Sequence, residues 1–292
     1  MRPLSLRYLQ LDVFPHAPGG GNPLGVVIGA DAWSPAQMQA FAAWTDLVET
    51  TFLFAASNPE ADYRVRIFTP TREIAFAGHP TLGSAHAALH CGLAVPRAGI
   101  VTQECQAGLL PIEVQGSGAA RVLSVRAPGA RLLPIEAAHR PRLDAALGAA
   151  PLGALGCAFV EGGRRWWIAE LRDEATVRAL DPRHSEIGAL ARATDSLGLC
   201  VFARCHGGPF DVVVRAFPAG VGIVEDPASG AANGLIGAFI ATEPGPLAGG
   251  YRVSQGREMG HDAELIVRID GPAVWVGGRV DTMIDGTLTW PS

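Results

Sequence analysis

Two titratable residues, His79 and Asp226, each stand directly before a proline, in the segments GHPTLG and EDPASG. In both segments an apolar, strand-like run precedes the pair and small residues follow it. Because proline suits the first helical turn, where its missing N–H costs no hydrogen bond, each titratable residue is predicted to be a helix N-cap. The free amides of such a helix start favour an anion such as a carboxylate. Asp226 alone would be explained as a cap, but the matching histidine favours proton-transfer chemistry.

Glu49 is a third candidate, because it lies at the junction between the first predicted helix and the strand-like run ETTFLF. An isolated glutamate at a helix end is most often a surface residue. Here an apolar strand follows at once, so we expect a partly buried carboxylate. Two carboxylates and an imidazole are groups that can move a proton between the carbon atoms of an activated substrate.

An internal repeat relates these residues to each other. Residues 63–87 (YRVRIFTPTREIAFAGHPTLGSAHA) align with residues 210–234 (FDVVVRAFPAGVGIVEDPASGAANG). The repeat predicts two similar half-domains that face each other across a cleft. We expect the N-terminal half-domain to comprise residues 1–126 plus 280–292, and the C-terminal half-domain to comprise residues 127–279. The corresponding residues are Arg66 and Arg215, Phe68 and Phe217, His79 and Asp226, Pro80 and Pro227, and Gly83 and Gly230.

The predicted elements are mostly short strands, rich in Val, Ile and aromatic residues and separated by Gly, Pro and Asp turns. Helical patterns are few. SPAQMQAFAAWTDL begins with Ser34 as a candidate N-cap, and RPRLDAALGA and HSEIGALARA are typical of surface helices. HPTLGSAHAALHCGL and DPASGAANGLIGAFIA are apolar nearly all round, as expected for helices buried inside a curled sheet. The predicted class is α+β, and the absence of regular βαβ alternation disfavours a Rossmann fold.

Composition excludes several functions. The chain has 292 residues and a formal net charge of −5, which gives no basic surface for nucleic acid. No apolar run is long enough for a membrane span or a signal peptide, so we expect a cytoplasmic protein with no membrane partner. The five cysteines show no C-x-x-C spacing and are expected to be reduced. All 23 basic residues are arginine, which excludes Schiff-base chemistry, covalently held PLP and the P-loop lysine.

The segments GNPLGVV, ETTFLF, RIFTPTREIAFAGHPTLGSAH, IVEDPASGAANG and VSQGREMG resemble the signatures of the phenazine-biosynthesis PhzF-like proteins, in the same order over most of the chain. The resemblance implies a diaminopimelate-epimerase-like fold, with two pseudo-symmetric halves that each wrap a barrel-like sheet around a central helix. It also implies cofactor-free isomerase chemistry, with Glu49 as general acid/base and with His79 and Asp226 positioning the substrate and tuning its protonation. A homodimer is an expectation from the family alone.

The resemblance also guides the substrate-binding residues. A small carboxylate-bearing substrate would be held by backbone N–H groups at the helix starts, and Asn22, in the loop GGGNP, would border the ligand. Ser229 occupies the place of a family threonine, Ala231 stands where the phenazine isomerases have a serine, and His261 stands where the tail motif usually has an arginine. These departures leave the substrate undefined. The predicted substrate-binding residues are Gly78, Ser229, Gly230, Ala231 and Asn22.

Three alternatives remain beside the isomerase hypothesis. Racemases of the diaminopimelate epimerase and proline racemase type use a cysteine at each helix start, and none of the five cysteines lies there, so a thiolate racemase is disfavoured. His86 and His90 have the i, i+4 spacing of metal ligands, but no third ligand is evident, so no metal site is predicted. A non-catalytic member of the same fold that binds a metabolite or a protein is the main rival, favoured by Ala231.

Overall fold

A computed structural model describes residues 6–290. The strands, numbered along the chain, are β1 (Leu6–Val13), β2 (Asn22–Ile28), β3 (Glu49–Phe54), β4 (Tyr63–Phe68), β5 (Glu73–Ile74), β6 (Ile100–Cys105), β7 (Gly108–Gln115), β8 (Val122–Arg126), β9 (Arg131–Leu133), β10 (Leu152–Gly162), β11 (Arg164–Leu171), β12 (Leu199–Arg204), β13 (Val212–Phe217), β14 (Gly250–Gln255), β15 (Ala263–Asp270), β16 (Ala273–Gly278) and β17 (Val280–Leu288). The helices are α1 (Pro35–Thr45), α2 (Gly78–His90), α3 (Arg140–Leu147), α4 (Glu174–Arg178), α5 (His184–Thr194) and α6 (Gly230–Ile240). The predicted α+β class is confirmed. The first predicted strand was placed in the N-terminal segment, and residues 1–5 of that segment lie outside the described residues.

Contacts within the chain divide it into two compact units. Unit 1 contains the described residues up to Arg126 together with those from Gly277 onward, and unit 2 is Ala127–Val276. The chain therefore passes between the units after residues 126 and 276. The assignment of half-domains with a second boundary at 279/280 stays a prediction.

The two units repeat one pattern of strand pairing. In unit 1, successive pairings along β1, β2, β3, β4, β6 and β7 are antiparallel, parallel, antiparallel, parallel and antiparallel. In unit 2 the strands β10, β11, β12, β13, β14 and β15 pair in the same series of orientations. The registers match as well, because Arg66 lies opposite Phe52 in the first series and Arg215 lies opposite Val201 in the second. The internal repeat of the sequence is thus a repeat of structure.

Each unit wraps its sheet around one central helix. Helix α2 contacts β1, β2, β3, β4, β6, β8 and β17, and nine of its 13 residues are buried. Helix α6 contacts β10, β11 and β15, and eight of its 11 residues are buried. A helix surrounded by strands must be apolar or small on every side, which is the pattern these two segments show in the sequence. The prediction of two buried helices is confirmed.

Further helices cover the outer face of the sheets. Helix α1 begins at the N-cap Ser34, whose side chain and that of Gln37 form a reciprocal capping box, and it packs on β3 and β4. Helices α3 and α5 pack on each other and share an apolar cluster with β11, β12 and β13. No helix in the described part of the chain has the length and apolar character needed to cross a membrane.

Candidate active site

The side chain of Glu49 points toward the central helix of unit 1. Glu49 is the first residue of β3 and lies in parallel register with Leu24 of β2. Leu24 packs against the backbone of α2 so closely that a Cβ atom on Gly83 would collide with it. Two residues further along β3, Thr51 accepts a hydrogen bond of 3.1 Å from Ser84 of α2. Because alternate residues of a strand share a face, Glu49 also faces α2, and it is only 9% exposed.

His79 meets Glu49 at the start of α2. The distance between His79 Nε2 and Glu49 Oε2 is 3.3 Å, and His79 is 6% exposed. Burial lowers the pKa of His79 to about 3, because the charged imidazolium loses its hydration there. At neutral pH the imidazole is therefore neutral. A distance of 3.3 Å is short enough for an ion pair. Because the imidazole is neutral, however, the contact joins a carboxyl group to an uncharged ring.

The predicted start of α2 was wrong by two residues. The N-cap is Ala77, and Gly78 and His79 are the first two helical residues, so His79 is not the N-cap and Pro80 is the third helical residue. Ala77 has no side-chain oxygen to cap the helix. Its carbonyl is instead held by Thr81, whose amide and hydroxyl donate hydrogen bonds of 3.2 and 2.9 Å to it. This hold on Ala77 allows the helix to begin before the proline.

Asn22 lies on the same side of the sheet as Glu49. It is the first residue of β2, is fully buried, and shares the α2-facing side of that strand with Leu24. The preceding loop is tied to β1 by a 2.7 Å hydrogen bond from the amide of Gly19 to the carboxylate of Asp12. The sequence analysis missed Asp12, which is 4% exposed and holds the loop before Asn22. Its position two residues before the end of a strand-like run, ahead of the glycine run, is the signal that could have indicated it.

In unit 2 the start of α6 also differs from the prediction. The N-cap is Ser229, whose hydroxyl accepts a hydrogen bond of 3.3 Å from the amide of Ala232. Asp226 therefore lies three residues before the N-cap, and it accepts a hydrogen bond of 3.2 Å from the amide of Ala228. A serine within reach of a free amide is a sufficient cap, so the helix begins after the proline instead of at it.

Glu225, the neighbour of Asp226, forms a buried ion pair. Its two carboxylate oxygens accept hydrogen bonds of 2.9 Å each from Arg215, and both side chains are less than 10% exposed. Arg66 of the first repeat makes the same bidentate pair with Glu73, at 2.7 and 2.6 Å. Both carboxylates thus lie beside a permanent guanidinium charge that binds both of their oxygens. Glu225 and Glu73 therefore have structural partners within the fold.

The predicted site residues fall into two groups, one in each unit. In unit 1, Glu49 and His79 are in contact, Gly78 is the helical residue before His79, and Asn22 lies on the same side of the sheet. In unit 2, a single run of the chain carries Asp226, Ser229, Gly230 and Ala231.

The remaining candidates for chemistry are the cysteines and the histidine pair of α2. Burial and the charge of Asp226 raise the pKa of Cys200 well above its ordinary value, so this sulfur is a thiol and not a thiolate. His86 Nε2 lies 2.9 Å from the hydroxyl of Thr282, and His90 Nε2 lies 3.2 Å from the carboxylate of Asp285. Within residues 6–290 no group of three or more His, Cys, Asp or Glu side chains is arranged to hold a metal ion.

The fold is shared with solved structures of epimerases and of PhzF proteins. A PhzF-family phenazine biosynthesis protein from Bacillus anthracis superposes with a TM-score of 0.83 at 22% identity, over 98% of this chain and 99% of that one. A hydroxyproline epimerase from Agrobacterium vitis superposes with a TM-score of 0.62 at 14% identity, over 98% and 93% of the two chains. The two-unit α+β architecture is therefore that of the PhzF-like and proline-racemase-like proteins.

Sequence similarity identifies the family. The profile of the family described as phenazine biosynthesis-like protein matches residues 11–286. The chain is 32% identical to trans-2,3-dihydro-3-hydroxyanthranilate isomerase of Pseudomonas aeruginosa, over 96% of this chain and 98% of that protein. It is also 32% identical to antisense-enhancing sequence 1 of Schizosaccharomyces pombe, over 96% and 97%. The chain belongs to the phenazine biosynthesis-like family, which is of isomerase type, and the resemblance found in the sequence is confirmed.

Proposed function

We propose that the protein is an isomerase that moves a proton between two carbon atoms of a small carboxylate-bearing metabolite without a cofactor. Glu49 is the general acid/base. His79 and Asp226 orient the substrate and adjust its protonation. The single observation that carries the proposal is the buried 3.3 Å contact between the carboxyl group of Glu49 and the imidazole of His79.

The neutral state of His79 suits the role of Glu49 as the general acid/base. A group that takes up and returns a proton must be stable in both protonation states. Glu73 and Glu225 are poor candidates, because an arginine binds both carboxylate oxygens of each of them. Glu49 instead has a neutral imidazole as its neighbour, 3.3 Å away. An imidazole N–H can donate to the carboxylate, and an imidazole nitrogen can accept from the carboxylic acid.

In the proposed reaction, the proton that leaves the substrate returns to it through Glu49. The carboxylate of Glu49 removes a proton from one carbon, and the electron pair of the broken C–H bond moves into the neighbouring unsaturated system. The carboxylic acid of Glu49 then returns the proton to a second carbon, where a new C–H bond forms. Nothing is oxidised or reduced overall, and Glu49 ends as a carboxylate.

The helix starts supply groups for the substrate carboxylate. Helix α2 carries no side-chain cap, so the N–H groups of Gly78 and His79 are available at the positive end of the helix dipole. We assign the same role to the amides of Gly230 and Ala231 at the start of α6, and a contact with the ligand to Asn22 and Ser229. Donors that are fixed before the reaction stabilise negative charge as it develops.

The test is solvent deuterium incorporation. Wild type and Glu49→Gln would be incubated in heavy water with trans-2,3-dihydro-3-hydroxyanthranilate and with amino-acid carboxylates, and each compound would be measured by mass spectrometry. We expect exchange or isomerisation by the wild type and a loss of about 10²-fold or more in the variant. Glu73→Gln is the matched control, because it also neutralises a half-buried glutamate of unit 1, and it should retain activity near that of wild type.

His79→Asn and His86→Asn form a second matched pair on helix α2. The first should lose most activity and the second should keep it. Equal activity of wild type and Glu49→Gln would contradict the role of Glu49. Silence of the wild type across compounds that bind, as seen by calorimetry, would contradict the catalytic proposal and support a non-catalytic binding protein.

A further inference from the structure

Gln255, the last residue of β14, has a fully buried side chain that bonds to the segment before α6. Its Nε2 donates a hydrogen bond of 2.8 Å to the carbonyl oxygen of Asp226. Its Oε1 accepts hydrogen bonds of 3.3 Å from the amide of Ser229 and of 2.9 Å from Nδ2 of Asn233. One side chain thus spans the segment from Asp226 to the first turn of α6.

The backbone of Asp226 is held from two directions. Its amide donates a hydrogen bond of 2.9 Å to the carbonyl of Ala216 on β13, while its carbonyl is held by Gln255. With the peptide groups on both sides of its Cα atom fixed, the direction of the Asp226 side chain is restricted. Gln255 therefore helps to fix the backbone from which this carboxylate projects.

The residue after Gln255 shows how closely β14 approaches this segment. Gly256 has a φ of +91°, and a Cβ atom at this position would lie 2.6 Å from the carbonyl oxygen of Pro227. Both the conformation and the space require glycine. The Gln255–Gly256 pair thus places the end of β14 directly against the turn that carries Asp226.

Packing alone does not explain a glutamine at position 255. The place of the residue in the sheet is fixed by its register with Val214 and Ala263, and this register does not depend on the side chain. An apolar side chain of similar volume would fill the site without any need for hydrogen-bond partners. All three partners of the amide lie between Asp226 and Asn233, so its specific contribution is to the conformation of that segment.

We propose that Gln255 is a positioning residue, which holds Asp226 and the first amides of α6 in the geometry that catalysis requires. This inference rests on the proposed function, in which Asp226 orients the substrate. Gln255 acts through Asp226 and Ser229 and does not contact the reacting atoms. A loss of its amide is expected to lower kcat more than it raises KM, since the substrate would still bind but in a less productive orientation.

Two variants of Gln255 and one control test the inference. Gln255→Met keeps the volume and removes all three hydrogen bonds. Gln255→Glu keeps both acceptor contacts, but its ionised form cannot donate to the carbonyl of Asp226, whereas its protonated form can. Thr194→Val is the control, because Thr194 is a buried residue of the same unit, bonded to Trp167, Leu190 and Ser196.

The first measurement is amide hydrogen exchange, followed by mass spectrometry of the peptides that cover residues 223–234. We expect exchange in this segment to be about tenfold faster or more in Gln255→Met and unchanged in Thr194→Val. The second measurement is turnover of trans-2,3-dihydro-3-hydroxyanthranilate. We expect kcat of Gln255→Met to fall at least tenfold with KM changed less than about threefold. The activity of Gln255→Glu relative to wild type should rise as pH falls, because its acid form regains the donor.

The outcomes separate this inference from the proposed function. Unchanged exchange in the segment would overturn the inference, and so would a loss of kcat no larger than that of Thr194→Val. A flat ratio of Gln255→Glu to wild type over pH would also count against it. If the wild type does not turn over the compound, the proposed function is contradicted for this substrate, and the exchange measurement alone then decides whether Gln255 holds the segment.

Discussion

Unit 1 and unit 2 have the same strand pairings, yet only unit 1 has a carboxylate at the start of its third strand. Phe52 lies opposite Arg66, and Val201 lies opposite Arg215, so Glu49 corresponds to Gly198. Gly198 has a φ of +154°, and a Cβ atom there would collide with the carbonyl of Phe217. The place that holds the candidate acid/base in one unit has no room for any side chain in the other.

The central helices differ in the same way at their starts. In α6 the third helical residue is Ala232, which donates its amide to the N-cap Ser229. In α2 the third helical residue is Pro80, which has no amide to donate, and the N-cap is Ala77. A side-chain cap on α2 could therefore bind only the amide of the second helical residue, His79. The start of α2 thus has no side-chain cap, whereas one amide at the start of α6 is bound by its cap.

A duplicated fold thus carries different residues at equivalent places of its two units. Both units supply a strand, a buried central helix and an arginine–glutamate pair beside it. The contact of Glu49 with His79 has no counterpart at the equivalent places of unit 2, where Gly198 and Asp226 stand. Asp226 instead has a buried glutamine, Gln255, fixing its backbone. In our proposal the acid/base Glu49 belongs to the first unit, while each unit contributes one residue that orients the substrate, His79 from the first and Asp226 from the second.

The largest predicted difference in stability concerns the two arginine–glutamate pairs. The side chains of Arg215 and Glu225 are 6% and 8% exposed, while those of Arg66 and Glu73 are 24% and 21% exposed. Glu225→Gln should lower the free energy of unfolding by about 3–5 kcal/mol, because it leaves a buried guanidinium without a counter-charge. Glu73→Gln should cost about 1 kcal/mol, since water can solvate Arg66. Urea unfolding of both variants measures the difference, and equal losses would contradict this account of burial.

Much of this arrangement could be predicted from the sequence. The repeat of Arg-x-Phe segments predicted two like units because the pattern of residues reflects a pattern of pairing, and the two all-round apolar segments predicted the buried helices. The contact of Glu49 with His79 could not be predicted, because the two residues lie 30 positions apart and meet only through the parallel register of β2 with β3 and the packing of α2 on both.

The helix starts show where local rules fail. The sequence pattern predicts proline as the first helical residue in both repeats. In the structure, Pro80 is the third residue of α2 and Pro227 lies before the N-cap of α6. The contacts at both starts depend on a nearby hydroxyl, that of Thr81 bonded to the carbonyl of Ala77 and that of Ser229 bonded to the amide of Ala232. Gln255 was missed because a lone glutamine in a strand pattern does not indicate a function until its partners are known.

Two histidines of α2, the buried His79 and the half-buried His86, make the second difference, a dependence of stability on pH. Burial lowers the pKa of His79 to about 3. Burial, with the positive charges of Arg121 and His90, lowers the pKa of His86 to about 4. Unfolded histidines bind a proton below their ordinary pKa near 6.5, and the folded ones do not. The stability that this difference contributes is present above pH 6.5, and it is lost as pH falls from 6.5 toward 4 for His86 and toward 3 for His79. Helix α6 has no titratable side chain, so this dependence belongs to unit 1.

His86→Gln should reduce that dependence. Between pH 6.5 and 4.5 the variant is expected to lose about 2 kcal/mol less unfolding free energy than wild type, because one histidine contributes at most about 1.4 kcal/mol per pH unit. Urea unfolding at the two pH values measures this. The exposed residue His16 provides the control His16→Gln, and a variant of His86 with the same acid sensitivity as wild type would show that its burial has no energetic consequence.

The smallest predicted effects concern the two helix starts themselves. Ser229→Ala should lower the free energy of unfolding by about 1 kcal/mol, because the amide of Ala232 loses its acceptor. Ala77→Ser should raise the free energy of unfolding by only a few tenths of ~1 kcal/mol, because Pro80 has no amide that a serine at the N-cap could bind. Ser34→Ala, which removes the capping box of α1, should resemble Ser229→Ala and calibrates the measurement. If Ala77→Ser stabilised the protein as much as Ser229→Ala destabilised it, the start of α2 would be an ordinary helix start that lacks a cap by chance. In that case the contrast between the two units would rest on Glu49 and Gly198 alone.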